Sequence, residues 1–426
     1  MATFSSARDH TGDLGAFVAS SPSSYHAVQE VADQLRASGF TEQREIEVWD
    51  GSAGGHFLIR DGAIIAWRTP AEVTAETAFR IVGSHTDSPA FKLKPRPDRS
   101  SVGWQQVGVE VYGGMLTNSW LDRELGLAGR IVGLDGEERL VRTGAVMRVP
   151  QLAIHLDRTV NSEGLKLDPQ QHLAPVWSIG HPDRSVLDLL AEIGGLDSGA
   201  DIAGHDVFAY DTQAARAFGS DLEFMAAGRL DNLMSVHASL VALIDAEAGP
   251  DIQVLAAFDH EEVGSASTSG ASGPFLHHVL QRIAAAHGIY DDAVLQMFAR
   301  SSCLSADGAH GLHPNYANRH DPDHLPLLNA GPVLKLNANQ RYATDAVGSA
   351  LWRRACQAAE VPCQEFVSNN AMPCGSTIGP LTSTRLGIRT VDVGAPMLSM
   401  HSAREMCGVD DPYWLSLALR AYWQGA

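Results

Sequence analysis

The chain has 426 residues, 45% hydrophobic and 19% charged, with a formal net charge of −19. The length suggests two or three domains, and the composition is that of a globular chain with a large core. Its acidity, without any extended basic run, argues against nucleic acid and anionic membrane surfaces as partners.

The five cysteines, Cys303, Cys356, Cys363, Cys374 and Cys407, form no Cys-x-x-Cys pair. Their odd number predicts a reduced, cytoplasmic chain rather than a disulfide framework or a zinc-thiolate site. Met1 to His10 is polar and carries no apolar signal core. No run of about 18 apolar residues predicts a membrane span.

In chain order, Ser23 or Ser24 can cap a helix in which Val28, Val31, Ala32 and Leu35 recur at helical spacing, with Gly39 as its stop. Segments 57–59 and 63–67 read as a hairpin about Arg60-Asp61-Gly62. Residues 79–82 predict a short strand that runs into Gly83-Ser-His-Thr-Asp-Ser-Pro89, a group of potential ligands beyond its end. Phe91-Lys-Leu-Lys-Pro-Arg-Pro97, with two prolines and several basic side chains, predicts a crossing between domains. Over 102–224 the pattern becomes strands and turns, with strands at 107–112, 127–134 and 145–149 and a helix at 185–193.

From Gly228-Arg-Leu-Asp-Asn232 a helical stripe returns, formed by Leu233, Val236, Leu240, Val241 and Ile244. The apolar run 254–258 then reads as a buried strand ending in Asp259, His260, Glu261 and Glu262. A helix at 275–287 follows, then a short strand at 303–306 before Asp307 and a strand at 333–336. A helix at 346–359, a strand at 387–393 before His401 and a last helix at 412–423 complete the chain. Strands alternating with helices on both sides of a β-rich insert predict an α/β domain interrupted by a second domain, with boundaries at 1–97, 98–226 and 227–426.

The chemistry concentrates at predicted strand ends, where open α/β sheets bind ligands. His85, Asp87, Asp231, Glu261, Glu262, Asp307 and His401 all fall there or on adjoining loops. Imidazole and carboxylate without thiolate suit zinc, manganese or cobalt in a hydrolytic site. Seven such groups exceed what one catalytic zinc needs and suit two metals sharing a carboxylate. Of two adjacent glutamates, one can coordinate metal while the other moves a proton. The spacing is not His-Glu-x-x-His, which excludes the single-zinc helical protease site. Taken singly, each residue has a plainer reading: Asp231 as a helix cap, Asp307 before Gly308 as a turn residue, and a lone histidine as a solvated or core side chain.

The chain resembles the aspartyl aminopeptidase family of dinuclear zinc metallopeptidases. Segments carrying the resemblance include Gly83-Ser-His-Thr-Asp-Ser-Pro89, Gln105-Gln-Val-Gly-Val-Glu-Val-Tyr-Gly-Gly114, Leu152-Ala-Ile-His-Leu156, Gly228-Arg-Leu-Asp-Asn232, Phe258-Asp-His-Glu-Glu-Val-Gly-Ser265, Ser305-Ala-Asp-Gly-Ala-His310 and Met400-His-Ser-Ala-Arg-Glu405. They run in family order from near residue 13 to the C-terminus. The resemblance implies a three-layer α/β zinc-peptidase domain with a mixed sheet, and a β-rich dimerisation domain within it. It implies one metal on His85, Asp231 and Asp307, and a second on Glu262 and His401 with Asp231 bridging. Glu261 is then the general base, and Asp87 orients His85. His155 is implied to reach a neighbouring subunit's site, within an assembly that is commonly a tetrahedral dodecamer. The implied activity removes N-terminal Asp or Glu from peptides, with Lys335 meeting the acidic side chain and Tyr342 donating a hydrogen bond. The enzymatic rivals are a neutral aminopeptidase or a deacylase with the same metal centre. The rival of another class is an assembly protein that no longer catalyses.

Overall fold

The computed structural model describes residues 4–181 and 184–426. Met1 to Thr3 of the polar N-terminal stretch, and residues 182 and 183 of the insert, lie outside the described residues.

A nine-stranded mixed sheet forms the middle layer of the larger α/β unit. Its four central neighbours are Ile252–Phe258, Phe79–His85, Ser302–Ala306 and Arg389–Gly394. These run parallel, so their carboxyl ends share one edge. The hairpin Gly54–Arg60 and Ala63–Thr69 joins antiparallel on one side, turning at Asp61 with φ +52°. Ile252–Phe258 shows why a continuous apolar run makes a central strand. Its side chains alternate between faces, so Leu255 and Ala257 join one core while Val254, Ala256 and Phe258 join the other. The first core holds helices Ser24–Ala37, Leu230–Asp245, Ala346–Ala358 and Asp411–Trp423; the second holds Phe275–Ala286 and Asp292–Arg300. Helices on both faces satisfy the burial that a two-sided apolar sheet requires.

Local signals set several boundaries. The Ser23 hydroxyl accepts the His26 N–H and caps Ser24–Ala37, and Asp345 accepts the Gly348 N–H ahead of Ala346–Ala358. Ser185 and Asp188 form a reciprocal capping box on Val186–Ile193.

A second, six-stranded sheet is built wholly from residues between Ala90 and Asp211, with Val176–Ile179 at one edge, around its own apolar core. The stretch with Pro95 and Pro97 is not a crossing between domains. It lies inside the strand Ala90–Ser101, where the register shifts between Leu93 and Asp98. Proline cannot donate to a ladder, and a bulge is where a sheet tolerates one. Residues 145–149 form only isolated bridges, at Met147, Arg148 and Val149, rather than a strand.

Among the described residues, four α-helices have no counterpart in the sequence analysis: Ala7–Ser20, the single turn Val160–Glu163, Asp292–Arg300 and Ile378–Leu386. A third sheet of five short strands joins Phe224–Ala227, Pro396–Leu398 and Glu405–Gly408 with two others. It stands beside the carboxyl edge of the large sheet and carries the remaining site segments.

Candidate metal centre

His85 is the last residue of Phe79–His85 and pairs in register with Phe258, so the two strands end level. Glu261 and Glu262 follow Phe258 on a single 3-10 turn, entered through His260 with φ +63°. Asp307 is the first residue beyond Ser302–Ala306. The small sheet supplies the rest: Asp231 follows Phe224–Ala227, and His401 lies between Pro396–Leu398 and Glu405–Gly408. Five chain segments thus converge on one point.

The donor atoms sit close together. His85 Nε2 is 3.4 Å from Asp231 Oδ1 and 3.5 Å from Asp307 Oδ1. His401 Nε2 is 3.4 Å from Asp231 Oδ2 and 3.3 Å from Glu262 Oε2. Ligand bonds of about 2.0–2.1 Å in a tetrahedron place neighbouring donors roughly 3.3–3.4 Å apart, so this spacing fits metal ligation. Asp231 Oδ1 and Glu262 Oε1 are buried without a hydrogen-bond partner, a costly arrangement that a cation would relieve. The residues present therefore fit overlapping cation sets: His85, Glu261 and Glu262 form one group, and two further sets are His85–Asp231–Asp307 and Asp231–Glu262–His401. Asp231 belongs to both, with one oxygen facing each histidine. Asp231 makes no capping hydrogen bond: its Oδ1 has no hydrogen-bond partner and its Oδ2 faces His401 Nε2.

The electrostatics are those of crowded carboxylates. Burial pushes the Glu261 carboxyl up to about 7, with Asp307 and Asp231 adding to the rise and His85 opposing it. Burial also lifts Glu262 well above the usual range, reinforced by Asp231. Burial alone would depress both histidines. The carboxylates of Asp231, Asp307 and Asp87 beside its ring instead raise His85 well above its ordinary value, and Asp231 and Glu262 raise His401 to about 10. Positive charge is what the pocket lacks.

Asp87 sits beneath the centre rather than in it. Its carboxylate accepts the N–H of Glu261 at 3.0 Å, the N–H of Glu262 at 3.1 Å and the Tyr112 hydroxyl at 2.8 Å, while its carbonyl lies 3.1 Å from His85 Nδ1. One buried carboxylate thereby fixes the turn that carries both glutamates. Tyr112 has no role in the sequence analysis, and neither do two further groups. Glu405 accepts the backbone N–H groups of Asp231 at 3.0 Å and His401 at 2.7 Å. Gly114 offers its carbonyl 2.9 Å from His401 Nδ1. Both Tyr112 and Glu405 lie inside the segments that carry the family resemblance, but only the three-dimensional arrangement shows what they hold.

Lys335 is 2% exposed, and its Nζ donates to the carbonyls of Asp307 and Gly308 at 3.0 and 3.1 Å, with Asp307 Oδ2 at 3.6 Å. It stands 5.3 Å from the Tyr342 ring, which is itself buried. His155 takes no part in this cluster. It is exposed on a loop of the second sheet's region, between exposed Leu152, Ile154 and Leu156.

Residues 17–423 match the family model described as aminopeptidase I zinc metalloprotease (M18). A probable M18 family aminopeptidase 2 of Streptomyces coelicolor is 52% identical over 425 residues, covering 98% of both chains. The Mycobacterium leprae protein of the same description is 44% identical over 417 residues, covering 96% of this chain and 97% of that one. Among solved structures, a chain from the Ape4 and Nbr1 complex superposes with a TM-score of 0.93 at 36% identity, over 98% of this chain and 86% of that one. The S. cerevisiae mApe1 dodecamer gives 0.86 at 27% identity, over 98% of this chain and 97% of that one.

Proposed function

The chain belongs to the M18 family of aminopeptidase I zinc metalloproteases, and on that premise we propose that it removes N-terminal Asp or Glu from peptides, using two divalent metal ions per chain. Metal-dependent aminopeptidase activity is the family's; the acidic preference, the two-metal count and the residue roles are this proposal. The observation that carries it is Asp231, whose two oxygens face two separate histidine–carboxylate sets. His85 and Asp307 complete one set, and Glu262 and His401 the other. Zinc is the metal of the family description; manganese and cobalt suit the same donors.

Metal ions in such a site polarise the scissile carbonyl and make a water acidic enough to attack at neutral pH. Glu261 lies 3.9 Å from His85 Nε2, and without a bound cation burial holds its carboxyl up near 7. It takes the proton of the attacking water and passes it to the departing amine; with cation charge beside it the carboxyl starts ionised and so is free to accept that proton. Asp87 holds Glu261 in place through the backbone N–H it accepts. Lys335 keeps one of its three N–H donors beyond the two carbonyls it already serves, and this donor meets the acidic side chain, with Tyr342 beside it.

We further assign the sheet between Ala90 and Asp211 to self-association. The exposed Leu152, Ile154 and Leu156 beside His155 support that assignment, as does the dodecameric state of the mApe1 relative. His155 then serves a neighbouring subunit, and a tetrahedral dodecamer is the proposed assembly. A cytoplasmic location accords with five free cysteines. No helix among the described residues is long and apolar enough to cross a membrane.

The test is hydrolysis of aspartyl, glutamyl and leucyl chromogenic amides by metal-analysed protein. Strong acidic turnover with about two metals per chain supports the reading. A leucyl preference overturns the role of Lys335, and a single metal at full activity overturns the bridging role of Asp231.

A further inference from the structure

A cleft of about 280 Å³ opens beside the metal centre. At one side it is walled by Ser399 and Met400, which immediately precede His401; at the other stand Arg319 and Asn369. The chain carries 50 acidic against 31 basic residues, yet among the described residues no Asp or Glu lines this cleft. Its lining carries instead one guanidinium and three imidazoles, His310, His313 and His320.

The rim is built rather than loose. Asn369 Nδ2 donates to the His320 carbonyl at 3.0 Å, tying its segment to the end of the 3-10 turn Pro314–Arg319, and its Oδ1 accepts the Ala371 N–H at 2.9 Å. His313 Nδ1 accepts the Asn315 N–H at 3.2 Å, so a neutral ring carries its proton on Nε2 and donates there. Arg319 is exposed, and its Nη1 donates to the Met372 sulfur at 3.5 Å. Among the described residues it has no ion pair. Its Nε and Nη2 donors remain for a ligand.

We propose that Arg319 reads a carboxylate on the leaving part of the peptide, C-terminal to the scissile bond. This rests on the aminopeptidase reading above and extends it to the substrate's second half. An aminopeptidase admits its substrate amino end first, so depth in the site follows position along the peptide. Buried Lys335 stands behind the Tyr342 and Phe366 rings, 6.3 Å apart, and Phe366 forms the cleft wall. The deep cation meets the first residue; the rim cation meets the residues after it. A planar guanidinium favours a carboxylate, which accepts two N–H bonds at once. That carboxylate comes from the C-terminus of a short peptide or from an acidic side chain.

The experiment compares kcat/KM for Asp-Ala, Asp-Ala-Ala and Asp-Ala-Ala-Ala, each as free acid and as C-terminal amide, in the wild-type enzyme, R319A, R319K and R319E. A second arm compares Asp-Glu-Ala amide with Asp-Gln-Ala amide. The wild type is expected to favour the carboxylate by about fivefold in one arm or both, the scale of a single solvent-facing ion pair. The ratio falls to near one in R319A, is partly kept in R319K and inverts in R319E. Taking ratios within each variant removes any change in folded fraction. A carboxylate preference absent from both arms, or surviving intact in R319A, overturns the proposal. Failure of the first-residue reading is seen separately, as wild-type enzyme cleaving Leu-Ala amide faster than Asp-Ala amide.

Discussion

Replacing Glu405 by Gln tests whether this buried carboxylate holds the proposed metal ligands Asp231 and His401 in place. Burial, with Asp231 nearby, pushes Glu405 up to about 8 from an ordinary value of 4.5. In metal-stripped protein the group is therefore protonated in the fold but ionised in the unfolded chain between those two pH values. A raised carboxyl contributes stability that is full below 4.5 and lost as the pH rises toward 8. Between pH 4.5 and 7.5 that loss is on the order of 4 kcal/mol. Gln cannot titrate, so Glu405→Gln should gain on the wild type by about that amount over this range. With metal bound, the added positive charge favours the ionised carboxylate. It then accepts the N–H groups of both Asp231 and His401, which Gln can do for only one of them with its single amide oxygen. Metal affinity should fall by about 10–100-fold, the usual scale for removing an outer-shell partner. Urea denaturation of chelator-treated wild type and variant at pH 5 and 7.5 measures the first effect. Competitive titration with a chromogenic chelator measures the second. A stability difference independent of pH, together with unchanged metal affinity, would refute this account of Glu405.

Glu261→Gln should retain bound metal yet lose most of kcat, about 10²–10⁴-fold for a missing general base. Near-normal turnover would reassign the base, and loss of metal would make Glu261 a ligand. His26 supplies an acid-stability prediction: burial, then Arg142 and Arg229, lowers it from 6.5 to about 4. Its neutral form is favoured in the fold, so stability is present above pH 6.5 and declines as the pH falls toward 4, by about 3 kcal/mol in all. His26→Gln, which can keep a hydrogen bond to Ser23, should flatten the denaturation midpoint across that window; an unchanged slope would count against it.

The parts of this fold legible in the sequence are those whose signal is local. The run 254–258 announces a central strand because both of its faces are buried, and the acidic pair beyond it follows from strand-end logic. Val333–Leu336 and the Ser23-capped helix are equally plain. Ala7–Ser20 is hidden because two of its buried positions are His10 and Thr11, which break the apolar stripe. Ile378–Leu386 is hidden by Gly379 and Pro380 in its first turn. The prolines at 95 and 97 mislead because a bulge accommodates them within a strand. The roles of Glu405, Tyr112 and the Gly114 carbonyl are invisible in one dimension, since each acts on a group 25 or more residues away or through backbone atoms that every residue shares.

Those distant contacts decide which nitrogen each histidine presents. A metal-ligating imidazole needs one nitrogen free of its proton, and the partner of the other nitrogen selects it. His401 Nδ1 faces the Gly114 carbonyl and His85 Nδ1 faces the Asp87 carbonyl; a carbonyl oxygen only accepts, so both rings carry a proton on Nδ1. Nε2 of each ring then has its lone pair turned toward Asp231 when the ring is neutral. Gly114 directly follows the second sheet's strand Trp104–Tyr112 and Gly113, and Tyr112 on that strand anchors Asp87. Displacing the second sheet would therefore disturb His401 directly and His85 through Asp87. Self-association through that sheet would act on the same two proposed ligands, which would link assembly to the proposed metal centre through hydrogen bonds rather than through any moving part.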